Sequence, residues 1–244
     1  MKKKLFLFLF FSVFIFAATP QIPTVNLSLT APTSPKQLVT MLNIVILMTF
    51  LVLAPSIVLV ATSFVRLLVV FGFLRQALGT PQSPPTTLLV SLSLVLTFFI
   101  MEPYAKEAYK SGIKPYMEQK IGYEEAFKRA VKPFKRFMIK NTREKDLALF
   151  FRIRHLPNPK TIDDVPLSIL VPAFMISELK TAFEIGFLIF LPFLVIDMVV
   201  SSILMSLGMM MLPPVMISLP FKILVFILVD GWNLIVMGLV NSFR

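Results

Sequence analysis

The sequence predicts an all-α membrane protein: two long helical hairpins, four apolar helices in all, with a helical insert domain between the second and the third, after an N-terminal signal sequence. Three observations predict it. Of 244 residues, 57% are hydrophobic, with a mean hydropathy of +0.84, well above the roughly 45–50% apolar content of soluble domains. No acid precedes Glu102, and nine of the thirteen fall between Glu102 and Asp164, so one polar segment separates two apolar blocks. Each block reads as a pair of helices, although Thr86 to Met101, at 16 residues, is short of the roughly 20 that a crossing of a hydrocarbon core takes.

In chain order, Met1-Lys2-Lys3-Lys4 and the apolar run Leu5 to Phe16 have the layout of a signal peptide over residues 1–19, with an uncleaved anchor as the alternative. Pro20, Pro23, Pro32 and Pro35 predict an extended tail over 20–37. The first apolar pair covers 38–101. Met41 to Thr62 carries no charge and predicts one helix, able to run on to Arg75 and interrupted by Pro55; Thr86 to Met101 predicts a second, ended by Pro103.

The insert, 102–166, is basic and patterned for helices. Phe127, Ala130, Val131, Phe134, Phe137 and Met138 recur at helical spacing, and Asn141 with Glu144 predicts a capping box opening a helix to Arg154. The second apolar pair, 167–244, predicts helices over Ala182–Leu207 and Val215–Val240, joined by a Met-rich loop, 207–214. Glu184, Asp197, Lys222 and Asp230 lie inside them. Ionisable groups at hydrocarbon depth are costly unless they face protein, water or an opposite charge, so these helices line a packed interior rather than lipid.

Several chemistries are excluded. With no Cys and one His, the chain has neither a disulfide nor a thiolate metal site. His155 reads as a surface or helix-end residue. There is no phosphate-binding glycine loop, no G-x-S-x-G and no H-E-x-x-H, so neither an enzyme nor a cofactor is expected. The net charge of +11 lacks any accompanying nucleic-acid motif, and no nucleic-acid partner is expected.

The candidate functional residues form three groups. Met209, Met210 and Met211 sit at a Gly208 and Pro213-Pro214 turn, where they either fill packing gaps or, repeated around a ring, make a soft constriction that deforms around a polypeptide. Asp197 and Lys222 fall at similar depth in a hairpin folded at that turn. Lys222 and Asp230 are eight residues apart on one helix face, which predicts an intramembrane network of three, either a static pair with a third member or a proton-exchanging site. Glu178, Lys180 and Glu184 predict a solvated or interfacial cluster where the insert enters the membrane, or a subunit contact. Phe137 and Phe150, with Phe151, are core or interface residues.

The strings Thr62-Ser63-Phe64-Val65-Arg66, FLRQALGT from Phe73, LTFFIM from Leu96, TREKDL from Thr142, ISELKTAF from Ile176, and Leu219-Pro220-Phe221-Lys222 leading to Val229-Asp230-Gly231-Trp232 resemble the FliP family, a polytopic subunit of the flagellar type III protein export gate. The resemblance runs nearly end to end. It implies a homo-pentamer in the bacterial inner membrane within the flagellar basal body, assembled with FliQ and FliR into a channel that works with FlhA and FlhB. It also implies unfolded flagellar axial proteins as substrates, a periplasmic insert, and Met209 to Met211 as the pore gasket. The alternative is a small-solute or proton transporter using Asp197, Lys222 and Asp230.

Overall fold

A computed structural model describes residues 35–243, positions 158, 160, 162, 163 and 210 excepted. The signal peptide predicted over 1–19, and the tail as far as residue 34, lie outside the described residues. Every regular element among the described residues is helical: α1 Pro35–Val60, α2 Phe64–Ala77, α3 Thr86–Ala108, a π-turn Tyr109–Ile113, α4 Lys114–Met117, α5 Tyr123–Lys140, α6 Glu144–Ile153, α7 Leu167–Ser206, α8 Pro214–Leu228 and α9 Gly231–Asn241.

The chain divides into two compact units, one ending at Thr49 and one beginning at Phe50. In the first, the helical residues Leu38, Val39, Leu42, Val45 and Ile46 are exposed, and Thr49 Oγ1 donates back to the Val45 carbonyl at 2.8 Å. The second unit is organised around α2. Leu67, Val70, Phe71 and Leu74 of that short helix are sealed from solvent, and its longest contact is with α7. α3 lies beside α2 and α5, α6 lies on α7, and α8 packs back on α7. Burial of this apolar surface, at about 25 cal/mol per Å², holds α2 in place.

The insert helices share that core. Tyr104, Phe174 and Phe243 bring their rings to 5.0, 5.9 and 5.9 Å from Phe137, which is wholly buried. Phe151 is buried as well, and Phe150 is half-buried against the same cluster.

The observed helices depart from the predicted ones in five places. First, the chain breaks at Ala61–Ser63 instead of running on to Arg75. There the Thr62 N–H and Oγ1 both donate to the Leu59 carbonyl, at 3.3 and 2.8 Å, replacing the i→i−4 ladder with a tighter turn.

Second, Pro103 stands inside α3 rather than ending it, and the helical path continues to Met117. A proline in a helix interior costs about 3 kcal/mol locally. Here it is offset by burial of Ile100 and Met101 on one side and the Tyr104–Phe137 contact on the other.

Third, Asn141 does not cap α6. Its Nδ2 donates to the Phe137 carbonyl at 2.9 Å and closes α5, and Arg143 takes the N-cap position without a side-chain bond. Fourth, the predicted helix Val215–Val240 is two helices, bent by 65° at Asp230, whose φ of 51° is left-handed. The third apolar helix also begins earlier than Ala182, at Leu167.

Two helical stretches, Thr86–Met117 and Leu167–Ser206, are long and apolar enough to cross a membrane, or three if the bent pair is one span.

Candidate functional site

The first constellation is a buried ion pair between α2 and α7. Arg66 faces Glu178 with two parallel donors, its Nε reaching Oε2 at 2.8 Å and its Nη2 reaching Oε1. Its Nη1 donates to the carbonyl and the hydroxyl of Ser242, at 3.2 and 2.9 Å, and the guanidinium lies 3.8 Å from the centroid of the Phe243 ring. Both charged side chains are buried, Glu178 completely. Only a planar fork can make the bidentate contact and stack on an aromatic face at once. Glu178 is thus not part of a solvated cluster, as its spacing predicted, because the cation that answers it comes from 112 residues away.

Next to it, one helix face along, the turn between α5 and α6 is tied to α7. Ser177 Oγ donates to Asp146 at 2.6 Å and accepts the Arg143 backbone N–H at 3.1 Å. The Arg143 guanidinium reaches Thr181 and Glu184, at 3.2 and 3.1 Å. Lys180 is exposed and 3.9 Å from Glu184. Three of the predicted junction residues, Glu178, Lys180 and Glu184, therefore stand on one stretch of α7, but only the last two face outward.

The second constellation lies at the other end of α2. Lys222 of α8 donates to Asp197 of α7 at 2.6 Å and to the Ala77 carbonyl at 3.1 Å, and the second carboxylate oxygen accepts Ser218 Oγ at 2.5 Å. The Ala77 carbonyl is the negative end of the α2 dipole, a favourable place for an ammonium. Asp230 does not join them. It sits at the break after α8, exposed, and none of the described residues gives its carboxylate an ion pair or hydrogen bond. Its eight-residue spacing from Lys222 placed both on one face only for an unbroken helix.

The third is the loop after α7. Gly208, with φ 75°, donates to the Met205 carbonyl, and Met209 to that of Leu204, both at 3.0 Å, a Schellman closure that needs a left-handed residue at Gly208. Pro213 is the N-cap of α8 and Pro214 its first residue, so the loop is fixed at both ends. Between them Met209 is 43% and Met211 98% exposed, and Met210 lies outside the described residues.

On α7, Glu178 and Asp197 are 19 residues apart, about 28 Å along the axis. The Arg66–Glu178 and Asp197–Lys222 pairs are thus separated by nearly the thickness of a hydrocarbon core.

Charge on the insert surface is different in kind. A hydrogen bond from Lys120 holds the Glu118 carboxyl below its ordinary range, and one from Arg129 does the same for Glu125. These are solvent-facing pairs of small energetic weight.

Sequence reasoning missed Arg66, Arg143, Ser177 and Ser218 as site residues. A signal existed for two of them. Arg66 and Arg75 are the only charges between Met41 and Met101, in a block without an acid, which forces a distant partner. Ser218 precedes Lys222 by four residues and so shares its face. Nothing local marked Arg143 or Ser177, which meet only through tertiary packing.

The FliP family profile matches residues 47–239. The chain is 57% identical over 198 residues to the flagellar biosynthetic protein FliP of Caulobacter vibrioides, covering 81% of this chain and 74% of that protein. It is 53% identical over 209 residues to the FliP of Bacillus subtilis, covering 86% and 95%, and 45% identical over 246 residues to that of Aquifex aeolicus, over the whole of both chains. With matches of this extent, and with apolar helices able to cross a membrane, the chain belongs to the FliP family of flagellar biosynthetic proteins, non-enzymatic components of the flagellar export apparatus.

Proposed function

We propose that this chain is the channel-forming subunit of the flagellar type III export gate, passing unfolded axial proteins across the inner membrane, with Met209, Met210 and Met211 as the gasket. The observation that carries this reading is the loop itself. A turn fixed by Gly208 on one side and Pro213-Pro214 on the other holds Met211 almost entirely clear of its own fold. A single copy gives the Met211 thioether almost nothing to pack on. Several copies around an axis give such thioethers one another, and methionine is flexible and polarizable enough to close on itself yet yield to a passing chain.

The proposed assembly is a homo-pentamer with FliQ and FliR, working with FlhA and FlhB in the basal body, with residues 102–166 as a periplasmic insert and residues 1–19 as a cleaved signal. Lys180, Glu184 and half-buried Phe150 are available on the surface for subunit contacts. Glu178 and Phe137 act from inside, shaping that surface. The Asp197–Lys222 pair supports a static role over proton exchange, since both carboxylate oxygens and the ammonium already have partners within the chain.

The test is conductance of the gate purified with its partner subunits and placed in a planar bilayer. Replacing Met209 to Met211 with glycine is expected to leave assembly intact and to raise resting ion leakage. Intact particles with unchanged conductance would overturn the gasket.

A further inference from the structure

The turn between α5 and α6 is pinned to α7 on both sides of Lys145. The Arg143 N–H donates to Ser177 Oγ at 3.1 Å, and that hydroxyl donates to Asp146 at 2.6 Å. Lys180 stands about one turn of α7 beyond Ser177, so the backbone fixes where both lysines can reach. Their side chains meet at hydrogen-bonding range, and both residues are exposed. Arg143 adds a third cation from the same turn, its guanidinium on Thr181 and Glu184 at 3.2 and 3.1 Å.

Acids do not answer these charges one for one. Glu184 is shared, 3.1 Å from Arg143 and 3.9 Å from Lys180. Asp146 is turned to Ser177, and Glu178 is sealed inside against Arg66. Glu144, exposed in the first turn of α6, forms an ion pair with none of the three, and Lys145 has no carboxylate at ion-pair distance among the described residues. Exposed lysines ordinarily swing apart. Here two ammoniums and a guanidinium are held around one shared carboxylate, an arrangement completed by an anion whose several oxygens each accept from a different donor.

The surface that continues from this cluster is apolar. On α7, Lys180 shares a face with Phe183, Phe187, Leu188 and Leu191, which follow it by 3, 7, 8 and 11 residues and are all exposed. No ionisable residue occurs between Glu184 and Asp197. From Lys180 to Leu191 is about 16 Å along the helix, close to half the thickness of a hydrocarbon core.

We propose that Arg143, Lys145 and Lys180 bind the phosphate of an anionic phospholipid whose acyl chains lie along the Phe183–Leu191 face of α7. One such molecule matches both parts: its head carries the missing anion, and its chains run one leaflet's length along the stripe. Free phosphate would leave the stripe uncovered, and a zwitterionic lipid would bring its own ammonium to a place already crowded with cations. Lys180 then faces lipid, which leaves Glu184 and Phe150 for subunit contacts. The site goes beyond the gasket reading and stands without it.

For the test, the full chain purified with its export partners is exchanged into equal amounts of phosphatidylglycerol and phosphatidylcholine. Loosely held lipid is stripped with detergent, and retained lipid is counted by mass spectrometry. Phosphatidylglycerol should be retained in excess. Lys145→Gln with Lys180→Gln should lower the phosphatidylglycerol to phosphatidylcholine ratio by about tenfold or more, as for loss of two basic side chains at an anionic surface. Lys120→Gln with Lys128→Gln removes the same charge from the insert surface, where both lysines are paired with glutamates, and should leave the ratio unchanged. A photo-crosslinking amino acid at Leu188 should form adducts with phosphatidylglycerol that fall in the Lys145/Lys180 double variant.

No preference in the unsubstituted chain would overturn the site, as would equal losses in the two double variants. Adducts at Leu188 confined to a second copy or to another protein would do the same. Inorganic phosphate bound as tightly as phosphatidylglycerol would mean an anion site without a lipid, and would also overturn it. If the Lys145/Lys180 variant fails to accumulate, the lipid ratio and the Leu188 adducts of the otherwise native chain decide. None of these outcomes touches the gate reading, which stands or falls on conductance.

Discussion

Arg66 spends four of its donor contacts and its flat face on three residues, Glu178, Ser242 and Phe243, that come from two distant parts of the chain. Burying two ions costs several kcal/mol each, and their attraction recovers this only when geometry and the remaining hydrogen bonds are good. The pair is therefore weak evidence of added stability but strong evidence of registry: it fits one alignment of α2, α7 and the C-terminal turn and penalises every other. Removing one ion should be far worse than removing both. Glu178→Ala is expected to cost about 3–5 kcal/mol, because it leaves a buried guanidinium without its carboxylate, whereas Arg66→Met with Glu178→Leu should recover most of that loss. Unfolding midpoints of the purified protein in detergent check this directly. A double variant no more stable than Glu178→Ala would mean that the pair's shape, not its unbalanced charge, is what the fold requires.

At the scale of elements, proline behaves unlike its usual role as punctuation. Pro103, Pro172, Pro192 and Pro220 all lie inside helices, while the 65° break between α8 and α9 falls at Asp230-Gly231, where there is none. The difference lies in tertiary support: Pro172 stands between buried Leu170 and Ala173, Pro220 between buried Ser218 and Lys222, and the Asp-Gly break is held by the Phe226–Trp232–Phe71 stack. That is why the helical segments were legible in the sequence while their boundaries were not. Apolar runs and charge placement located every long helix. The Thr62 turn, the continuation through Pro103 and the break at Asp230 depend on contacts that residue spacing does not encode. A Cβ on Gly231 would run into the Phe226 ring. If the break is set by ring packing over that missing Cβ, Gly231→Ala should cost about 1–3 kcal/mol through overpacking. It should cost little more once Phe226 is already alanine, since the clashing ring is then gone. A double-mutant cycle on Gly231 and Phe226 measures this coupling; additive costs would place the origin of the bend elsewhere.

At the scale of the molecule, the length of α7 is the constraint. Its 40 residues reach about 60 Å, roughly twice the hydrocarbon thickness, so only half of it can be at lipid depth. Burial and charge divide it. Up to Gly186 its inward face is sealed by α2 and the insert, and it carries the Ser177, Lys180 and Glu184 contacts. From Phe187 to Ser206 it exposes Phe187, Leu188, Val195, Met198, Val199 and Ile203, and its one acid, Asp197, is paired. The site was readable from sequence to the same extent. The loop-end residues and the Asp197–Lys222 proximity follow from a hairpin's arithmetic, but Arg66–Glu178 needs the three-dimensional crossing of α2 and α7. The division of α7 predicts a labelling pattern, and because the chain has no cysteine, single cysteines can be introduced without background. Cysteine at exposed Ile176 should react quickly with a membrane-impermeant maleimide added to the periplasmic side, since a hydrated thiol ionises readily. Cysteine at Val195 or Met198, exposed in the single chain, should stay unreactive in intact membranes, where lipid or a neighbouring subunit excludes water and suppresses the thiolate. Comparable rates at Ile176 and Met198 would mean that the second half of α7 lines a wetted surface. Labelling at Ile176 only after the membrane is opened would place the insert on the cytoplasmic side instead.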